Sequence, residues 1–186
     1  ILHEEFHSPE FTARGGALEM VQLWVNLPAK DKMTAPGYQG ILDRDIPAVD
    51  LPDAAGRVRV IAGEYRGHAG PASTFSAMDV WDVRLNAGKQ ASFSLPEGRS
   101  LAVIVLKGTV RINDEESVSD AQLVVFEQDG SEFTLAADSD AKLVVLSGEP
   151  LNEAIEGYGP FVMNTPLQIR EAIHDFNSGR FGKMPD

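Results

Sequence analysis

Short apolar segments separated by turn residues dominate the sequence from Val58 onward. Turn signals such as Asn86-Ala87-Gly88 and Asp129-Gly130 recur about every 8–12 residues, a spacing typical of β-sandwiches and barrels. This pattern predicts an all-β fold. The predicted strands are Val58–Ala62, Met78–Leu85, Ala91–Leu95, Leu101–Leu106, Val110–Ile112, Leu123–Phe126, Phe133–Leu135 and Lys142–Leu146.

Three further segments organise the rest of the chain. Leu18–Leu27 is apolar and β-branched and ends at Pro28, which predicts a buried strand. Ala29–Pro52 is rich in proline and glycine, and we expect the boundary between two units there. Thr165-Pro166-Leu167-Gln168 predicts a helix start, because it combines an N-cap residue, a proline at the first helical position and a capping-box glutamine. The helix would pack through a stripe formed by Ile169, Ile173 and Phe176.

Charge and composition exclude several functions. The net charge of −12, from 16 Lys and Arg against 28 Asp and Glu, repels nucleic acids and anionic membrane surfaces. The absence of cysteine excludes disulfides, thiolate metal sites and a cysteine nucleophile, and it suits a cytoplasmic protein. No apolar run approaches the length of about 18 residues that a membrane span needs. The chain begins at Ile1 without methionine or a signal peptide, so we expect a fragment or a processed chain.

The sequence has four histidines and no cysteine, so few residues can serve as nitrogen or sulfur ligands to a metal ion. In an extended segment His3, Glu5 and His7 project from one face, about 6–7 Å from one to the next. Imidazole and carboxylate together suit Fe(II), Mn(II) or Zn(II), whereas the alternative is a set of polar residues at a frayed terminus. His68 is expected in a solvated loop, and His174 is expected on the exposed side of the C-terminal helix.

Other kinds of catalytic site find no support in the sequence. It contains neither a glycine-rich phosphate-binding loop nor a Gly-x-Ser-x-Gly nucleophile motif. The acidic cluster Asp114-Glu115-Glu116 follows a predicted strand and is typical of a solvated hairpin tip.

Several segments resemble the pirin family of cupins, and the resemblance extends over essentially the whole chain. The middle of the chain matches by strand pattern more than by identity. The segments are Ile1-Leu2-His3-Glu4-Glu5, Gln22–Pro28, Lys32-Met33 with Pro36 and Tyr38-Gln39, Ser147–Leu151 and Gly159–Thr165.

The resemblance implies a bicupin, in which two double-stranded β-barrels lie in one chain. It implies a remnant of the N-terminal metal-binding barrel at residues 1–45, a complete C-terminal barrel at 46–160, and a helix with a tail at 161–186. Residues Leu85 to Leu146 contain no histidine, so we expect the second barrel to be metal-free and packed with Val, Leu, Ile and Phe.

The family's metal is held by three histidines and one glutamate. His3 and Glu5 match the last two of these ligands, whereas the first two histidines belong to an earlier motif that this sequence does not contain. The implied cofactor is one divalent metal ion, Fe(II) first, with Mn, Zn, Ni or Cu open. The resemblance also suggests that Gln22 lines the metal cavity; alternatively, its amide satisfies backbone groups in a barrel core.

The function implied by the resemblance is that of a quercetin 2,3-dioxygenase, which cleaves flavonols with dioxygen at a metal ion. Glu5 would then be both a ligand and the catalytic base. Two alternatives stay open. One is a non-enzymatic, redox-sensitive regulator that binds transcription factors as protein partners and does not touch DNA itself. The other is a cupin that binds a small ligand other than a flavonol.

Overall fold

The computed structural model describes residues 2–183, which form two compact units. One unit is Tyr38–Leu151, and the other combines Ile1–Gly37 with Asn152–Asp186. The division after Gly37 lies inside the proline- and glycine-rich stretch. The domain limits at 45/46 and 160/161 stay a prediction.

The unit Tyr38–Leu151 is built from antiparallel strands. The strands are β1 (Ala48–Asp50), β2 (Gly56–Ala62), β3 (Glu64–Tyr65), β4 (His68–Ala69), β5 (Met78–Leu85), β6 (Gln90–Ser94), β7 (Ser100–Lys107), β8 (Val110–Ile112), β9 (Glu116–Val118), β10 (Gln122–Val125), β11 (Glu132–Ala137) and β12 (Ala141–Gly148). They form a six-stranded sheet in the order β1-β2-β5-β12-β7-β10, a four-stranded sheet in the order β6-β11-β8-β9, and a small hairpin of β3 and β4.

All eight strands predicted in this unit are confirmed, with ends that differ by at most a few residues. Met78–Leu85 shows why the pattern works. Alternate residues of this strand are buried, among them Trp81 and Val83, while the residues between them are partly exposed. Its whole length pairs with β12, from Ala141↔Leu85 to Gly148↔Met78. The period of two along a strand therefore sets which side chains enter the core.

One hydrophobic core lies within this unit and takes side chains from both large sheets. Its aromatic members contact one another in sequence: Trp81 lies near Tyr65, and Phe93 stacks on Phe133 with ring centroids 5.2 Å apart. The expected Val, Leu, Ile and Phe packing is present, and the core also contains the large rings of Tyr65 and Trp81. The all-β prediction is confirmed.

The other unit contains two α-helices, a short 3-10 helix (Ala29–Asp31) and a hairpin. Helix α1 is Pro9–Arg14, the hairpin pairs β13 (Glu156–Tyr158) with β14 (Phe161–Met163), and helix α2 is Pro166–Asn177. The Thr165 hydroxyl accepts a hydrogen bond from the Gln168 backbone N–H at 3.2 Å, so the predicted helix start is confirmed. Along the predicted stripe only Ile169 is buried, and Phe176 instead contacts the rings of Phe161 and Phe181.

The predicted buried strand at Leu18–Leu27 is wrong. These residues are irregular, and most of their apolar side chains are exposed; the Trp24 side chain is 70% exposed. A strand requires a neighbour that satisfies its backbone N–H and C=O groups. Among the described residues no strand pairs with this segment, so it does not form a strand although its side chains are largely apolar.

Among residues 2–183, no helix is long and apolar enough to cross a membrane.

Candidate metal centre

The three residues singled out as ligands or cavity residues lie together in the structure. His3 Nδ1 is 3.7 Å from Glu5 Oε1, in the irregular segment that precedes α1. Gln22, seventeen residues further along the chain, donates from Nε2 to the same oxygen at 3.5 Å. Glu5 is therefore the central residue of the group, since its carboxylate contacts both the imidazole and the amide.

The donor atoms have a separation that one metal ion can bridge. Metal–nitrogen and metal–oxygen bonds to histidine and glutamate are about 2.0–2.2 Å long, so one ion can bind two atoms up to ~4.2 Å apart. The observed 3.7 Å lies below that limit. Imidazole nitrogen with carboxylate oxygen is a donor set that fits Fe, Mn or Zn. These two residues fit part of a metal coordination shell.

His3 and Glu5 are accessible to ions from solution. Their side chains are 66% and 60% exposed, so the attraction between them is weakened by water. The pair therefore contributes little to the folding stability of the protein. Separating the two side chains to let each bind a metal ion costs correspondingly little free energy. The Gln22 amide donates to Oε1 of the Glu5 carboxylate over a long 3.5 Å hydrogen bond.

The remaining histidines lie elsewhere. The His7 ring contacts Phe11, with centroids 5.6 Å apart, and His174 is exposed on α2. Within residues 2–183, no group of three or more His, Asp or Glu is arranged to hold a metal ion. The alternation of His3, Glu5 and His7 predicted three side chains on one face, about 6–7 Å from one to the next. In the structure His3 and Glu5 are in contact, whereas the His7 ring lies against Phe11.

The loop expected around His68 is instead a two-residue strand. Tyr65 pairs with His68 in the β3–β4 hairpin, and Arg66 and Gly67 form the turn with φ angles of 48° and 80°. Two successive positive φ values define the tight turns that suit β-hairpins. The His68 side chain stays exposed, and its Nδ1 lies 3.1 Å from the Arg66 carbonyl oxygen.

Two buried residues of the unit Tyr38–Leu151 could not be singled out from the sequence. Tyr65 and Trp81 are almost fully buried, and neither the Tyr65 hydroxyl nor the Trp81 indole N–H has a hydrogen-bond partner among the described residues. The available signal was the placement of Trp81 at an inward position of β5. A polar atom at such a position needs a partner, which the sequence does not reveal.

The C-terminal half of the chain matches a known protein family. Residues 80–182, more than half of the chain, match the Pirin C-terminal cupin domain. The chain belongs to the pirin family. Most of the β-sheet unit Tyr38–Leu151 lies within this match, so this unit is of the cupin type and is called the cupin unit below.

Individual pirin relatives match over nearly the whole chain. A Pseudomonas aeruginosa protein named as a candidate quercetin 2,3-dioxygenase is 56% identical over 181 residues, which cover 97% of this chain and 63% of that protein. Pirin from Mus musculus is 33% identical over 98% of this chain and 62% of its own length. The crystal structure of a quercetin 2,3-dioxygenase from Acinetobacter baumannii superimposes with a TM-score of 0.93 at 50% identity, covering 96% of this chain and 62% of that one. The chain thus spans just under two thirds of the length of these relatives.

Proposed function

We propose that this pirin is part of a metal-dependent dioxygenase of the quercetin 2,3-dioxygenase type. The observation that carries the proposal is the contact of His3 Nδ1 and Glu5 Oε1 at 3.7 Å, with Gln22 on the same carboxylate. The names of the relatives from Pseudomonas and Acinetobacter support the same activity.

In this proposal His3 and Glu5 supply two metal ligands, and the others come from protein outside these 186 residues. Two observations support an additional covering segment. The relatives are longer than this chain, and most apolar side chains of Leu18–Leu27, the segment that includes Gln22, are exposed. An exposed apolar run of this kind is typical of a surface that other protein covers.

The bound metal ion, most favourably Fe(II), would lower the pKa of a flavonol hydroxyl and polarise the adjacent carbonyl oxygen. Glu5 accepts the hydroxyl proton, because a carboxylate oxygen beside the substrate is a suitable base. Gln22 donates to Glu5 Oε1 and so orients the carboxylate, which leaves its other oxygen free. His3 supplies the imidazole nitrogen ligand beside Glu5.

Oxygen uptake with quercetin tests the proposal. The full-length protein loaded with Fe(II) should consume dioxygen when quercetin is added, and Glu5→Gln should lower kcat by at least ~100-fold, since general-base catalysis contributes about that much. His7→Ala is the matched control, because His7 lies on the same segment but contacts Phe11. Absence of quercetin-dependent oxygen uptake in metal-loaded protein, or equal loss in both variants, would contradict the proposal.

A further inference from the structure

A row of basic residues crosses the six-stranded sheet of the cupin unit at one register. Arg57 in β2 pairs with Arg84 in β5. Arg84 also pairs with Lys142 in β12, and Lys142 pairs with Lys107 in β7. Adjacent strands lie about 4.8 Å apart, so the four residues span roughly 14 Å. The row is a local concentration of positive charge in a chain whose net charge is −12.

The arginines of this row lie on the outer face of the sheet. Val58 beside Arg57 and Val83 beside Arg84 are fully buried, and successive residues of a strand point to opposite faces. The side chains of Arg57 and Arg84 are accordingly 56% and 51% exposed. Like charges directly opposite each other on one face of a sheet are destabilising. An anion that binds both guanidinium groups would remove this repulsion.

The neighbouring carboxylates neutralise these two arginines only loosely. Arg57 Nη2 is 3.5 Å from Oδ1 of Asp50, whose side chain is 81% exposed. Asp82 Oδ2 is 3.5 Å from Arg84 Nη2 but 2.6 Å from Arg59 Nη1, so it serves mainly as the partner of Arg59. A guanidinium has five N–H donors, and most of those on Arg57 and Arg84 therefore remain available to a ligand.

The surroundings of the two arginines favour a ligand with several negative charges. Arg57 and Arg84 line an open groove of about 930 Å³, which Asp43 and Asp50 also line. These carboxylates disfavour a small anion that stays in the groove. Beyond Asp50, which pairs with Arg57 from β1, the row contains only basic residues, so an extended anion that crosses the strands meets positive charge along its length.

Phosphate groups suit this row best. The guanidinium fork matches phosphate oxygens in pairs, and a lysine ammonium binds phosphate as a point charge. The net charge of −12 opposes any anion at long range, but salt screens that repulsion beyond about 8 Å under physiological conditions. Contacts within the row are shorter than this distance.

We propose that the outer face of the cupin unit binds an oligophosphate chain through Arg57, Arg84 and Lys142. The phosphates come either from a nucleoside triphosphate or from a free polyphosphate. The site lies entirely within Tyr38–Leu151 and uses no residue of the candidate metal centre.

Isothermal titration calorimetry of the full-length protein with inorganic tripolyphosphate tests the proposal. Arg84→Gln should weaken binding about tenfold, because hydrogen bonds between charged groups contribute about that much to affinity. Arg111→Gln is the matched control, since it removes the same charge from a similarly exposed side chain, 46% against 51%, on the other sheet. It should change the affinity less than about twofold. Orthophosphate, which is too short to cross three strands, should bind at least about tenfold more weakly than tripolyphosphate.

A second variant and a second ligand sharpen the result. Arg57→Gln should give a loss similar to that of Arg84→Gln, so the test does not depend on the folding of one variant. Tighter binding of ATP than of tripolyphosphate would identify a nucleotide as the source of the phosphates, and weaker binding would identify a free chain. Any heat from phosphate binding to the metal ion would be equal in all the proteins, because none of the changes touches His3 or Glu5. No binding of tripolyphosphate, equal binding of orthophosphate, or equal losses in Arg84→Gln and Arg111→Gln would overturn the proposal.

Discussion

Gly63 lies at the junction of β2 and β3, where the chain passes close to a buried ion pair. Asp79, which is 6% exposed, accepts a hydrogen bond from the Glu64 backbone N–H at 3.0 Å. Its other oxygen pairs with Arg99 Nη1 at 2.6 Å. A Cβ on Gly63 would lie 2.0 Å from Asp79 Oδ1 and 2.5 Å from the Met78 carbonyl oxygen. An alanine there cannot fit without moving the carboxylate.

Gly63→Ala should therefore cost far more than its backbone conformation alone requires. Gly63 has φ +75°, and an alanine in this left-handed region costs about 1–2 kcal/mol. Displacing Asp79 from Arg99 adds the cost of breaking a buried ion pair, about 3 kcal/mol. Gly67 is the matched control, because it has φ +80° and a Cβ added to it would meet nothing within 4 Å. We expect a loss of about 4–5 kcal/mol for Gly63→Ala and about 1–2 kcal/mol for Gly67→Ala.

Urea unfolding followed by Trp81 fluorescence measures both free energies of unfolding. Trp24→Phe is the background for all variants, so the signal comes only from the cupin unit. Equal destabilisation by the two alanines, within about 0.5 kcal/mol, would refute the argument that Gly63 protects the Asp79–Arg99 pair.

Two further predictions concern Tyr65 and the start of α2. Because burial raises the pKa of the Tyr65 hydroxyl, the protonated phenol favours the folded state below about pH 10, and this contribution is lost as the pH rises through the higher folded-state pKa. Tyr65→Phe should make the alkaline decline in unfolding free energy shallower in urea titrations above pH 10; an unchanged slope would contradict this. Thr165→Ala removes the cap on the Gln168 N–H and should cost about 1 kcal/mol, whereas Thr165→Ser should cost much less, measured by thermal unfolding at 222 nm. Equal losses in the two variants would argue against the cap.

The cupin strands could be predicted from the sequence because each carries its own signal. In Met78–Leu85 alternate residues face the core, and the segment ends at the turn residues Asn86-Ala87-Gly88. Leu18–Leu27 carries a similar apolar signal but has no partner strand among the described residues. Sheet formation depends on a neighbour, so composition alone gave the wrong answer there.

Short elements escaped prediction for a different reason. Helix α1 starts at Ser8-Pro9, the same cap and proline combination as Thr165-Pro166, and the Ser8 hydroxyl accepts from the Phe11 backbone N–H at 3.1 Å. At six residues the helix is too short to show an apolar stripe, so periodicity could not detect it. The strands β3 and β4 have two residues each and are equally invisible to a period of two.

The candidate metal centre was predictable only in part. The spacing of His3 and Glu5 places them on one side of an extended segment, and the structure has them in contact. Gln22 came from the family resemblance, because no local pattern connects residues seventeen positions apart. The contact between the Tyr65 and Trp81 rings joins the β3–β4 hairpin to β5, and such long-range neighbours follow from the fold rather than from any one segment.

Metal content tests the central claim most directly. Elemental analysis of the purified full-length protein should find about one divalent metal ion per chain, and His3→Ala should lose most of it, because a missing ligand weakens binding strongly. His174→Ala is the control, since it removes an exposed histidine on α2 and should retain the metal. Equal metal content in His3→Ala, His174→Ala and the unaltered protein would contradict the assignment of His3 and Glu5 as ligands.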